Sequence, residues 1–212
     1  VLLTVNSRAA RSLNLQYARN QAASGVSVFE TPRIFPLKAW LEHLFRELVF
    51  SLDSLETPFY PELLSPEQEL LLWEEVILES GTARGLLRTR EMAALAAGAW
   101  ELTRAFRIDR RKLCDWDIPD YQAFWEWSLE FEKRLKSHGW LDRGYLPDLV
   151  AEEFCQGEIP VPDTVILAGF DEFTPQELDL FQSLVQGDCR LYSLQFPEYE
   201  GRAGRGGFAD PR

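Results

Sequence analysis

The chain has 212 residues, 46% of them hydrophobic and 26% charged, with a net charge of −12 at pH 7. This is an ordinary globular composition, enough for one large domain or two small ones. No apolar run approaches the roughly 18 residues a membrane span needs, and the acidity argues against simple electrostatic capture of nucleic acid.

The chain opens on Val1 inside an apolar run, carries no readable secretory leader, and closes on the polar, Gly-rich GRAGRGGFADPR. It reads as a piece of a longer protein. Cys114, Cys155 and Cys189 are far apart and in no metal-ligand spacing, and His43 and His138 stand alone. Thiols in a reduced cytoplasm are expected, with no metal and no cofactor.

Taken in order, VLLTV reads as a buried strand, followed by a helix that Asn6 or Ser7 caps and Gly25 ends. A second strand is expected at 26–30 (VSVFE), then a turn (TPRIFP), then an amphipathic helix LKAWLEHLFRELVF. From about 51 to 157 the strand signal disappears. Ser65, Pro66 and Gln68 spell a capping box at the start of one helix, and TREMAALAAGAWELTRAF, IPDYQAFWEWSLEFEKRLKSHGW and LPDLVAEEF read as three more. Most of the seven Trp lie in this block, as helix core or as a platform for a stacked base. Strands return at 163–169 and 189–194. Between them lies a helix with Thr174 as cap, Pro175 first, Glu177 closing the box and Gly187 at the end.

Strands alternating with helices imply a parallel sheet. The expected fold is therefore α/β, a small parallel sheet with a large all-helical insertion. The α/β part covers 1–50 and 158–197, the insertion 51–157, and a flexible tail 198–212. Charge is uneven along the chain. Residues 51–79 hold eight acids and no Lys or Arg, while 84–112 hold seven Arg and Lys112 against three acids. Such blocks are solvated helix faces or, for the basic one, a local surface for a polyanion.

The residues VILAGFDEFTPQELDLF, 165–181, pose the functional question. A nucleotide-hydrolysing α/β domain needs a Gly-Lys-Ser/Thr phosphate loop and an acid at the end of a buried strand to orient Mg²⁺. No Gly in the chain precedes a Lys, and GRAGRGG at 201–207 lacks the Lys-Ser/Thr. At the strand end stand Ala168 and Gly169, with Asp171 and Glu172 only after them. Those acids belong to a turn and helix start, where the helix dipole favours them, or to a degenerate Mg²⁺ segment. No Gly-x-Ser-x-Gly, His-Glu-x-x-His or Glu-x-Lys occurs, so no catalytic residue is assigned.

The order of parts resembles UvrD/Rep-type helicases. TVNSRAARSLNLQYARNQ is similar to their segment after the ATP loop, and HGWLDRGYLPDLVAEEF to their Gly-x-x-Asp-x-x-x-Leu stretch, with Gly139, Asp142 and Leu146 in register. The run Gly169-Phe170-Asp171-Glu172-Phe173-Thr174-Pro175-Gln176-Glu177 and TPRIFPLKAWL more closely resemble the AddB family of helicase–nuclease subunits and its DNA-repair relatives. The resemblance implies a P-loop-helicase-like 1A domain with a 1B-like insertion and an inactive motor. It also implies a role in handling single-stranded DNA. Strand-end loops would then face the DNA, through Asn6, Ser7, Arg8 and Arg11 after the first strand and Thr31 and Arg33 after the second. The alternatives are a scaffold for a partner motor or nuclease subunit, docked through the acidic 51–79 stretch, and an ATPase whose phosphate loop precedes Val1.

Overall fold

The computed structural model describes residues 1–51, 60–81, 88–115 and 118–194, without the side chains of 51 and 113–115. The expected tail at 198–212 and the 201–207 run lie outside the described residues, as do 52–59 of the acidic stretch and Arg84 of the basic one. What is described is mixed α/β and mostly helical.

The chain starts with β1 (Leu2–Thr4) and α1 (Ser7–Ala23). Asn6 caps α1, its side chain accepting from the Ala9 N–H at 2.9 Å. Here the expected second strand fails. Residues 26–33 are not in a strand, and β2 is Ile34–Pro36, inside the segment read as a turn. The VSVFE run has strand chemistry but nothing to pair with or bury against. Val28 is 88% exposed, and Phe29 sits edge-on to Tyr17 of α1. Ile34 and Phe35 instead align with Leu2 and Leu3, so tertiary pairing overrides local propensity. Pro36 is tolerated because β2 is an edge strand.

Next come α2 (Leu37–Ser51), β3 (Glu62–Leu63), α3 (Pro66–Glu79) and α4 (Thr89–Ala105), then a 3-10 turn (Arg110–Asp115) and α5 (Pro119–His138). After them follow β4 (Trp140–Leu141), α6 (Leu146–Gln156), β5 (Thr164–Ala168), α7 (Pro175–Gln186) and β6 (Arg190–Leu194). The Ser65 and Thr174 capping boxes are both formed. The helical stretch is not free of strands: β3 and β4 pair in parallel over two residues each.

The main sheet has the order β2-β1-β5-β6, all parallel. Moving from β1 to β2 and from β5 to β6 runs in opposite directions across the sheet. Right-handed crossovers therefore put α1 on one face and α7 on the other, with the long β2-to-β5 connection on α7's side. The core agrees. Leu3, Val165 and Leu167 of the strands pack with Trp40, Leu44, Phe154 and Leu180 from α2, α6 and α7, and no residue of α1 joins them.

A second core lies within the helical stretch. Trp73 stacks on Phe131 at 4.0 Å between centroids, Trp100 meets both edge-on, and Leu72, Ile77, Ala93, Trp127 and Leu135 close around them. A fully buried Phe131 alone contributes about 1.5–3 kcal/mol by removal from water. This core draws on α3, α4 and α5, whereas α6, expected in the insertion, packs in the sheet core through Leu146, Leu149, Val150 and Phe154.

Asp142 joins the two cores. It is 2% exposed and accepts from Trp100 Nε1 at 2.9 Å and from the Tyr145 N–H at 3.1 Å. Gly144 makes room for it, since a Cβ there would lie 2.9 Å from Asp142 Oδ1. A second tie is Arg107, whose guanidinium donates to Asp148 of α6 at 2.6 Å and to Asp179 of α7 at 2.7 Å. It holds a left-handed backbone (φ 54) just past α4, a conformation that disfavours a side chain unless the side chain is needed. Replacing Asp142 by Leu leaves two buried N–H groups unpaired. It should lower unfolding free energy by about 2–4 kcal/mol in urea titrations, while Asp142→Asn, which keeps an acceptor, should cost about 1 kcal/mol or less.

Candidate functional site at the carboxyl edge of the sheet

At the end of β5 the chain must leave a buried strand and enter a helix within six residues. Gly169 makes the turn with φ 79, in the left-handed region that favours glycine. Phe170 and Phe173 then fold back on Phe181 of α7, with centroids 5.4–6.4 Å apart. Thr174 and Glu177 close the box: the Glu177 carboxylate accepts from the Thr174 N–H at 2.8 Å, and Thr174 Oγ1 accepts from the Glu177 N–H at 3.2 Å. The whole Gly-Phe-x-x-Phe-Thr-x-x-Glu pattern therefore has a structural cause. Asp171 and Glu172, between the two phenylalanines, are exposed. No group of three His, Cys, Asp or Glu among the described residues is placed to hold a metal ion.

The β1 end lies beside it, since Thr4 aligns with Ala168. Ser7, Arg8 and Arg11 are exposed there and Asn6 is occupied as the cap of α1. Arg8 and Arg11 make no ion pair among the described residues. Thr31 and Arg33 are not part of this edge. They precede β2 rather than follow it, and β2 runs parallel to β1, so they stand at the amino edge. There Arg33 shares a hollow with Asp163, Thr164 and Arg190. The expected six-residue constellation is thus split by the shifted strand.

The carboxyl edge opens on a groove of about 630 Å³ between the two cores. Leu37, Leu41 and Leu180 line its sheet side and Ala94, Ala97 and Gly98 of α4 the other. Ion pairs cross it from Lys38 to Glu101 and from Arg143 to Glu42. Gln176, 6% exposed, donates to the Gly144 carbonyl at 2.7 Å and to Asp148 at 2.9 Å. Glu69 accepts from the Arg143 N–H at 3.4 Å, and burial together with the neighbouring Asp142 charge pushes its carboxyl up to about 7.

The charge blocks resolve differently. In the acidic one, Glu74 pairs with Arg90, and Glu75 and Glu79 with Arg134. Of the tryptophans, Trp40, Trp73, Trp100 and Trp127 are buried core, while Trp125 and Trp140 are half-buried. The basic block gathers Arg104, Arg107, Arg110 and Arg111 beside Trp125, a clustering that only the turn after α4 creates. Among the described residues no helix is long and apolar enough to cross a membrane.

Compared with known proteins, the chain matches no family model and no curated protein.

Glu69 generates a pH dependence. Its folded value, about 7, lies above its ordinary 4.5, so the folded state holds the extra proton between them. Stability is therefore greatest below about pH 4.5 with respect to this group and falls as pH rises towards 7. Glu69→Gln should raise the melting temperature at pH 8, leave it nearly unchanged at pH 5, and flatten the slope between. Gly169→Ala, forced into a left-handed backbone, should cost about 1 kcal/mol in chemical denaturation, and added Mg²⁺ should not shift either variant.

Proposed function

We propose that this chain is a non-catalytic, helicase-like module of a DNA repair or recombination protein, one that positions single-stranded DNA. The observation that carries the reading is the end of β5. The strand is buried and central, and its following helix is capped, as in a nucleotide-hydrolysing domain, but Ala168 and Gly169 stand where the metal-orienting acid would be. An inactive relative of a helicase 1A domain has this character: the scaffold is kept and the hydrolytic acid is gone. A mainly helical block lies between β2 and β5, and on this reading it corresponds to a 1B insertion. The likeness of the Gly169–Glu177 run to the AddB pattern supports the same family, and the glycine, the two phenylalanines, Thr174 and Glu177 of that pattern build the turn.

DNA contact falls to Ser7, Arg8 and Arg11, which are exposed at the carboxyl edge where parallel sheets bind ligands. Phosphates are held by guanidinium groups, and no sequence preference follows from such contacts. The alternative, a scaffold docked through the acidic 51–79 stretch, keeps its exposed acids, of which Glu75 and Glu79 pair with Arg134 while 64% and 66% exposed.

Fluorescence anisotropy with a labelled single-stranded oligonucleotide tests the reading. Binding should weaken with salt along a log–log line. Arg8→Ala with Arg11→Ala should reduce that slope by about 1.4, at about 0.7 per phosphate contact. Arg33→Ala, at the opposite edge, should leave affinity unchanged. Absence of binding at low salt, or equal loss from Arg33→Ala, removes this assignment.

A further inference from the structure

The end of α4, the 3-10 turn and one face of α5 enclose a separate pocket of about 460 Å³. Among the described residues its lining includes Arg104, Arg107, Arg110 and Arg111 and two carboxylates, Asp109 and Glu132. Glu132 is shared by three cations: Arg110 at 2.8 Å, Lys136 at 3.5 Å and Arg104 at 3.9 Å. Burial alone would push its carboxyl up, yet the Arg110 hydrogen bond and these charges hold it below the usual range. Arg111 is 81% exposed and meets only its near neighbour Asp109. Arg107 is committed to Asp148 and Asp179, which leaves Arg104, Arg110 and Arg111 beside the two described lining carboxylates, Asp109 and Glu132. Among the described lining residues, guanidinium groups outnumber carboxylates.

The guanidinium groups are also fixed. Arg104 and Arg110 lie 4.6 and 4.5 Å from the centre of the buried Trp100 ring. Arg104 Nε and Arg110 Nη1 are buried with no hydrogen-bond acceptor among the described residues. Immobile, under-satisfied guanidinium groups mark a place where an anion or water completes the set, and their planar fork suits phosphate oxygens. Beside them stands a flat apolar wall: the half-buried Trp125 ring, 5.9 Å from the Arg110 guanidinium, with Ile108 and Leu129 46% and 45% exposed. Such a wall takes an aromatic base by stacking.

We infer that this pocket receives one nucleoside-phosphate unit, its phosphate against Arg110 and Arg111 and its base against Trp125. The volume suits a ligand of that size. Two sources share this chemistry, a free mononucleotide and one residue of a single strand. The choice of the strand rests on the proposed function above.

The test is equilibrium binding of three probes: inorganic phosphate, a mononucleotide, and an oligonucleotide of about 16 residues. The proteins are wild type, Arg111→Glu, Trp125→Leu, and Arg8→Ala with Arg11→Ala. Arg111 is exposed, so its charge reversal leaves the fold intact, and circular dichroism checks this for each variant. Arg111→Glu should weaken mononucleotide and oligonucleotide about tenfold, and Trp125→Leu should weaken both while leaving phosphate unchanged. The inference is overturned if wild type binds no nucleotide, if phosphate binds as tightly as the mononucleotide, or if both pocket variants match wild type. In that last case a loss confined to the Arg8/Arg11 variant leaves the strand-edge reading standing alone. A mononucleotide bound with the oligonucleotide refused keeps the pocket and removes the strand reading.

Discussion

A carboxylate buried between two apolar cores is tolerable only if its oxygens are hydrogen-bonded, and much of this fold is arranged around satisfying Asp142. Burial raises its pKa; the Trp100 indole, the Arg104 charge and the Tyr145 and Gly144 backbone groups work against that shift. Removing such a group from water costs several kcal/mol unless partners replace the lost solvent. Each partner constrains something further. Trp100 is the centre of the helical core, Gly144 has to lack a side chain, and Tyr145 N–H ties the group to the start of α6 in the sheet core. The Gly139-x-x-Asp142-x-x-x-Leu146 spacing then has a physical meaning: Gly139 ends α5 in a left-handed turn (φ 67), Asp142 joins the cores, and Leu146, 3% exposed, is buried in the sheet-side core with Leu141.

The acids after β5 stand apart from this joint. An acid that orients a metal must stand at the strand end and face the site. Asp171 and Glu172 are displaced by the Gly169 turn and point to solvent, while Glu177, further on, is the acid with a defined partner. The segment's aromatic residues explain the displacement. Phe170 has to turn inward to reach Phe181, and the two acids fill the outer side of the loop that results.

Helices were legible in the sequence because their signals are local. Ser65-Gln68 and Thr174-Glu177 announce their own caps, and α3 and α7 begin where those residues place them. β5 and β6 were legible for the same reason, as short apolar runs between clear turns. β2 was not, because VSVFE and IFP are both short apolar runs and only pairing with Leu2 and Leu3 decides between them. That single shift carried Arg33 and Thr31 to the wrong edge. The sharing of α6 with the sheet core was also hidden, since its apolar face is the same whichever core it meets. Of the basic surface, the Arg-rich block could be read, but its clustering with Trp125 depends on Arg107 turning the chain and so belongs to tertiary structure.

The contacts across the groove are unequal, and this bears on what the carboxyl edge can do. At one end, the Trp100–Asp142 bond is buried and costly to break. At the other, Lys38 and Glu101 are 79% and 56% exposed, and an ion pair of that exposure contributes about 0–1 kcal/mol. The two cores are therefore held firmly at the Asp142 joint and weakly where the groove meets the strand-end loops. Arg143–Glu42 also crosses the groove, and Arg107 ties the end of α4 to Asp148 and Asp179, so Lys38–Glu101 is the weakest of several ties rather than the sole one. The carboxyl-edge end of the groove, where Lys38 meets Glu101, is thus its least strongly tied part.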